Sequence, residues 1–412
     1  MTRPHAQDLM PPPRAGSGMV APLADDVTVG PLADGVMVEP PVGGVMVEPP
    51  VGGGAPVSTA GPAAEASRLH RTTMVPRLWL LAFVGVLVVA AVVASLGIGA
   101  TRIGLGAWLH LAQGEAVSEQ TRLVLLEIRL PRTVLGVLAG ASLAAAGAIM
   151  QGLFRNPLAD PALIGVSPGA ALAVVALIAL GEGPLAPVVH LLGQWALPAA
   201  ALAGGLSATF LLYTVATREG MTSVATLLLA GIALAAFAGA GTGLLIYAAN
   251  DRQLRDLTFW SLGSLSGATW PGIAAALPFF AVPFVLLPFL ARPLNALLLG
   301  EAEAWHLGIA VERVKRLAML AVACAVATAV SLTGVIGFIG VVVPHLVRLA
   351  AGPDHRLLLP VSALLGAALL VGADVLARIV VAPAELPIGI VTALLGAPFF
   401  LWLLLRARPQ GV

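Results

Sequence analysis

Charged side chains are scarce in this sequence. Only 10% of its 412 residues are Asp, Glu, Lys or Arg, whereas 58% are hydrophobic, and an ordinary soluble protein has roughly a quarter of its residues charged. A water-soluble fold of this length could not bury so much apolar surface, but a protein surrounded by lipid does not have to. The composition therefore predicts a membrane protein.

Cysteine, lysine and clusters of basic residues are also nearly absent. Cys324 is the only cysteine and lies within an apolar stretch, which excludes disulfides and cysteine metal sites. Lys315 is the only lysine, and the net charge of +1 gives no reason to expect a nucleic-acid partner. Because the histidines are not paired at metal-ligand spacing, we expect no metal site and no permanently bound cofactor.

The N-terminal region lacks any long apolar run, including that of a secretory signal peptide. It is rich in proline and glycine, and the segment VMVEPPVGG occurs twice, at Val36–Gly44 and at Val45–Gly53. Repeats this short cannot form a packed unit. We predict that residues 1–70 form a disordered cytoplasmic tail and residues 71–412 a membrane domain.

Apolar runs dominate the remainder of the chain. A helix needs about 20 apolar residues to cross a membrane, and about ten runs meet this requirement. The fold class is therefore predicted to be all-α, a polytopic membrane protein with both termini cytoplasmic, the side on which basic residues near the span ends predominate. The predicted spans are Trp79–Gly99, Thr133–Gln151, Leu163–Leu180, Ala196–Val215, Ala225–Ala248, Ile273–Leu290, two spans within Leu317–Leu349 divided at Thr333-Gly334, Leu358–Leu376 and Pro387–Leu405.

Two features of the spans bear on function. No P-loop occurs, so the chain is not expected to bind ATP itself. The span centres hold no Asp, Glu, Lys or Arg, which weighs against an ion-coupled secondary transporter. That class remains an alternative, because discontinuous helices can bind ions through backbone groups.

Three segments have a predicted local role. Gly136 and Gly140 form a GxxxG pair, which favours close packing of helices inside the bundle. Leu257–Leu265 is predicted to be a short helix at the membrane interface. Arg292–Arg316 is predicted to be the longest cytoplasmic loop, and its exposed apolar side chains suit the docking of a soluble partner.

Several short motifs follow one another at matching positions along the spans. The chain from Trp79 to Arg406 resembles the FecCD-type permeases, the membrane subunits of bacterial importers for iron–siderophore complexes, haem and cobalamin. The motifs that carry the resemblance are Arg129-Leu130-Pro131-Arg132, the run QGLFRNPLADP over Gln151–Pro161, Gly300-Glu301, Gly337-Phe338-Ile339-Gly340, Pro344-His345 and Glu385-Leu386-Pro387.

The resemblance implies an architecture and a set of partners. It implies a ten-span subunit of the bacterial inner membrane, not itself an enzyme, in which spans two to five and seven to ten are inverted halves. It also implies a homodimer with the translocation path at its interface. Two cytoplasmic ATPase subunits would bind ATP below the dimer, and one periplasmic binding protein would dock above it.

The resemblance also implies functional residues. Arg129, Arg132 and Arg378 would dock the binding protein; alternatively, they reach lipid headgroups or pair with Glu127 and Asp374. The ATPase-facing surface would contain Glu301, Ala304, Leu307 and Gly308. The inner gate would contain Thr222, Ser223, Val224, Ala225 and Thr226.

One segment indicates which ligand to expect. Residues Leu257–Trp270 resemble the haem-type members most, so haem is the expected ligand. A ferric siderophore and cobalamin remain alternatives, because the siderophore permeases share much of this segment.

Overall fold

The computed structural model of the protein describes residues 77–406, apart from residues 100–103, 105 and 116. The predicted tail, residues 1–70, lies outside the described residues, so its boundary stays a prediction. Within the described chain almost every element is a helix, and the strands form a single short hairpin. The predicted all-α class is confirmed.

Eight α-helices occupy the first part of the described chain. The helix α3 (Glu119–Leu123) continues through a π-helical segment, Val124–Arg129, into α4 (Leu130–Leu153), so that Glu119–Leu153 is one helix of 35 residues. Strands β1 (Thr217–Arg218) and β2 (Met221–Thr222) lie between α7 (Ala196–Ala216) and α8 (Val224–Ala248). The helices are α1 (Arg77–Gly97), α2 (Gly106–Ala112), α3 (Glu119–Leu123), α4 (Leu130–Leu153), α5 (Val166–Leu180), α6 (Ala186–Leu192), α7 (Ala196–Ala216) and α8 (Val224–Ala248).

Seven further α-helices complete the described chain. The division predicted at Thr333-Gly334 is confirmed, because the helix α12 (Val311–Thr333) ends there and Gly334 has a positive φ of 70° that favours glycine. The helices are α9 (Asp251–Leu262), α10 (Trp270–Leu297), α11 (Glu301–His306), α12 (Val311–Thr333), α13 (Ile339–Ala351), α14 (His355–Ile379) and α15 (Ile388–Arg406).

The described helices account for the predicted spans. Seven are long and apolar enough to cross a membrane, and three shorter apolar helices are α5, α13 and the Ile388–Trp402 part of α15. The order of the helices is similar in the two predicted halves, since a long helix (α4 or α12), a short one (α5 or α13) and another long one (α7 or α14) follow each other in both. This order agrees with the inverted halves.

The segment Arg292–Arg316 differs from the predicted long loop. The helix α10 continues to Leu297 although four prolines lie inside it, which a membrane bundle tolerates because neighbouring groups can satisfy the freed carbonyls. The helix α12 already begins at Val311. Only residues 298–310 therefore link the two helices, and α11 forms part of this link.

Glycines of α4 hold this helix against its neighbours. A Cβ atom at Gly140 would overlap the carbonyl of Gly366 in α14, and one at Gly147 would overlap the carbonyl of Gly340 in α13. Gly136 likewise faces Val371 of α14. Such close approach is possible only without side chains. The predicted role of the GxxxG pair in internal packing is confirmed.

Contacts between helix ends define two ends of the bundle. Asn295 Nδ2, near the end of α10, donates to Asp354 Oδ1, just before α14, at 2.7 Å. We call this the α11 end, because α11 follows α10. At the opposite end Arg132, near the start of α4, meets Asp374, near the end of α14. We call this the arginine end.

Candidate functional site

The arginine end contains a buried ion network centred on Asp374, which is 1% exposed. Arg132 donates to Asp374 Oδ1 from Nε at 3.1 Å and from Nη2 at 2.9 Å. Its Nη1 donates to Glu385 Oε2 at 2.9 Å. Arg378 Nε lies 3.1 Å from Asp374 Oδ2. Because a buried charge is costly unless it is paired, the network holds α4, α14 and the segment before α15 together.

Arg378 and a third arginine at this end, Arg129, cap α1. Arg378 Nη1 donates to the carbonyls of Ser95 and Ile98 at 3.2 and 3.1 Å, and its Nη2 donates to Ser95 Oγ at 2.9 Å. Arg129 Nη1 donates to the carbonyl of Leu96 at 2.8 Å. The last carbonyls of a helix lack partners within it, and cations are favoured there. The arginines therefore attach the end of α1 to α4 and α14.

The structure brings the three predicted docking arginines together, but it buries them. Their exposed fractions are 4, 6 and 5% for Arg129, Arg132 and Arg378. The alternative prediction of pairing with Asp374 is confirmed for Arg132 and Arg378. Docking of a binding protein by these arginines stays a prediction, and a partner would meet groups already bonded within the chain.

Glu385 is the accessible member of this network, with a side chain that is 38% exposed. Sequence reasoning assigned no role to Glu385, although this residue opens one of the motifs that carried the resemblance. Its position in the sequence, 253 residues after Arg132, hides the ion pair from any local pattern. The network therefore offers a partner both an exposed acid and a buried set of bases.

At the α11 end of the bundle, a turn at Gly308 ends the helix α11. The amide of Gly308 donates to the Trp305 carbonyl at 2.9 Å, and the amide of Ile309 donates to the Ala304 carbonyl at 3.0 Å. These are the paired bonds of a Schellman motif, which requires a left-handed residue just after the helix. Gly308 has a φ of 81°, so the prediction that it ends the helix is confirmed.

The helix α11 presents large apolar side chains outward. Trp305 and Leu307 are 67 and 63% exposed, and Leu299, just before the helix, is 66% exposed. The prediction that Ala304 belongs to the ATPase-facing surface is wrong, because this residue is fully buried in the core. It packs α11 against the bundle, and Trp305 takes its place among the exposed residues.

Lys315 lies in the first turns of α12 and joins three elements. Its Nζ donates to Glu301 of α11 at 2.7 Å, to Glu312 of α12 at 3.0 Å and to the Thr222 carbonyl of β2 at 2.6 Å. Glu312 also accepts from the Thr222 amide at 2.9 Å. We call these four residues the Lys315 cluster. Neither the position of Lys315 on α12 nor its spacing from Thr222 indicates this contact.

The predicted inner gate falls on the hairpin and the start of α8. Thr222 ends β2 and is 3% exposed, while Ser223 caps α8 by accepting from the Thr226 amide at 3.2 Å. Glu219 and Gly220 both have positive φ, of 52° and 78°, as a two-residue hairpin turn needs. The remaining predicted gate residues, Val224 and Ala225, lie in the first turn of α8. The gate role stays a prediction.

One face of α8 is open. Gly239 and Gly243 have the GxxxG spacing, and a Cβ atom at either would meet nothing within 4 Å. Around them Phe237 and Leu244 are 72 and 71% exposed. This face combines small residues, which allow close helix approach, with large apolar ones.

Comparisons with known proteins agree with this geometry. The family model of the FecCD transport family matches residues 86–406. The chain is 49% identical over 288 residues to a cobalamin import system permease protein of Halobacterium salinarum, covering 70% of this chain and 75% of the relative. It is 45% identical over 335 residues to a hemin transport system permease protein of Yersinia pestis, covering 81% and 97%.

A solved structure agrees as well. It is an inward-facing conformation of a metal-chelate type ABC transporter, and it matches with a TM-score of 0.69 at 31% identity, covering 79% of this chain and 98% of the other. Sequence and structure thus agree over nearly the whole described region. The chain belongs to the FecCD transport family.

Proposed function

We propose that the protein is the permease subunit of an ATP-driven importer that carries haem across the bacterial inner membrane into the cytoplasm. The observation that carries this proposal is the 45% identity to a hemin transport permease over 97% of that relative. The chain itself hydrolyses nothing in this role. Two copies of the chain enclose a path between them, and a partner supplies the energy.

Cobalamin is the second candidate ligand. The cobalamin permease of Halobacterium salinarum is 49% identical over 288 residues, which is higher but covers less of the relative. A ferric siderophore is a third candidate of the same class. A path for any such bulky ligand should be wide, largely apolar and poor in fixed ligands, because tight coordination would prevent release.

The surfaces described above accommodate the partners of such an importer. The open face of α8 suits a second copy of the chain, with the path between the copies. The exposed Trp305 and Leu307 of α11 suit an apolar groove of an ATPase subunit. The arginine end, with Glu385 at its surface, suits a binding protein.

The position of the charges supports this class over an ion-coupled carrier. Among the described residues, the buried side chains that carry a full charge are three arginines and Asp374 at the arginine end and Lys315 at the α11 end. Carriers that couple to protons or ions usually need such groups at mid-depth. Here the buried charges join helix ends.

The ligand is tested by competition. With its ATPase and binding protein in proteoliposomes, the chain should take up labelled haem, and an excess of unlabelled haem should suppress this uptake. Equal concentrations of cobalamin or of a ferric siderophore should leave it unchanged. Transport of labelled cobalamin or siderophore without transport of haem would contradict the assignment.

The ATPase surface is tested by Leu307→Asp. A carboxylate in an apolar groove should weaken association by about 2 kcal/mol or more, roughly 30-fold in affinity, as measured by co-purification and by titration of the ATPase. The matched control is Met221→Asp, an apolar side chain on the hairpin that is 72% exposed, which should keep full association. Equal affinity of the Leu307→Asp variant and the wild-type protein would refute the surface.

The docking role of the arginine network is tested by two variants of opposite effect. Arg132→Gln should weaken binding-protein association by about 2 kcal/mol or more, because a charged contact is lost. Glu385→Gln should strengthen it, since Arg132 Nη1 loses its charged internal acceptor. Affinity measured at low and high salt should fall with salt in the wild-type protein. If both folded variants keep wild-type affinity, the network serves only to hold the helices together.

A further inference from the structure

The Lys315 cluster contains the only lysine of the chain, and that lysine is 2% exposed. An ammonium group has three N–H donors and no acceptor. In the cluster each donor has one acceptor, and the acceptors belong to three separate elements, α11, α12 and β2. The lysine is therefore fully bonded. An element that moves alone breaks a bond to a buried charge, whereas elements that move together keep all three bonds.

The bond to β2 is made to the backbone. Lys315 Nζ binds the Thr222 carbonyl while Glu312 Oε2 binds the Thr222 amide. An ion pair on α12 thus satisfies both peptide groups of one strand residue, as a neighbouring strand would. Side-chain changes in the hairpin leave this attachment intact, so it fixes the position of β2 itself and, two residues later, the start of α8.

The bond to α11 is of a different kind. Glu301 reaches Lys315 from the first turn of α11, and its side chain is 41% exposed. Glu312 remains beside the ammonium if Glu301 leaves. The connection from α11 can therefore be cut without leaving the lysine as an unpaired buried charge, which is strongly unfavourable. The link between α11 and β2 runs through one nitrogen atom.

We propose that Lys315 is a positioning residue that ties the ATPase-facing helix α11 to the hairpin before α8, so that a displacement of α11 moves the start of α8. The inference rests on the proposed function, since it takes α11 as the contact of the ATPase. To that contact it adds Lys315 as a positioning residue. The displacement travels from Glu301 through Lys315 to the backbone of Thr222.

The test uses the complete complex with the ATPase and binding protein in proteoliposomes. The variants are Glu301→Gln, which removes the charged bond to α11, and Lys315→Met, which removes the centre of the cluster. Their controls are the exposed neighbours Glu303→Gln and Arg316→Met. For each, the association of the ATPase, the rate of ATP hydrolysis and ligand uptake are measured. A wild-type complex without ATP-driven uptake would refute the proposed function instead.

Uptake per ATP should fall by about 5-fold or more in both cluster variants. Lys315→Met, whose side chain is buried, should also keep the ATPase bound and hydrolysing. The controls should keep the wild-type ratio. An unchanged ratio in Glu301→Gln with the ATPase bound would overturn the inference. Loss of ATPase binding in a folded Lys315→Met variant would overturn it too, because the cluster would then only hold α11 in place. If Lys315→Met fails to fold, Glu301→Gln still tests the inference, because this variant retains the Lys315–Glu312 pair.

A spectroscopic measurement separates linkage from general stability. Spin labels at Glu219 of the hairpin and at a fixed site on α14, in a Cys324→Ala background, report the hairpin position with and without nucleotide. The wild-type hairpin should shift on nucleotide binding, and the shift should vanish in Glu301→Gln. A hairpin that shifts equally in both proteins contradicts the route.

Discussion

Backbone contact between α4 and α14 is the constraint on which the bundle depends. Lipid gives helices no hydrophobic reason to associate, so close packing must supply the attraction. Gly140 and Gly366 let the two backbones touch at mid-length. This contact fixes the depth of each helix relative to the other, and it thereby brings Arg132 opposite Asp374 at one end.

Glycine packing aligns the helices, and charged side chains then join their ends. At the arginine end Arg132 and Arg378 share the carboxylate of Asp374, and Arg378 also caps α1. At the α11 end the Lys315 cluster attaches a short helix and a hairpin to α12. The two ends differ in what they can do. The arginine network joins long helices, whereas the Lys315 cluster joins short elements that can move with little disturbance of the core.

Sequence predicts the features of this protein that depend on local pattern. The apolar runs locate the spans, Gly308 marks the end of α11, and Thr333-Gly334 divides two helices. Contacts between distant residues are hidden, which is why Glu385 and the Thr222–Lys315 bond were missed. Burial also escaped prediction: Ala304 and the arginines share motifs with exposed residues, and only the packing of neighbouring helices decides which face is outward.

In the function that we propose, this chain provides a path and a partner bound at the α11 end provides the energy. The most direct measurement is uptake into proteoliposomes that contain the chain with or without its ATPase and binding protein, while the nucleotide and ion gradients are varied separately. We expect uptake that requires ATP and both partners and that survives ionophores. Uptake by the chain alone, driven by a proton or sodium gradient, would contradict it.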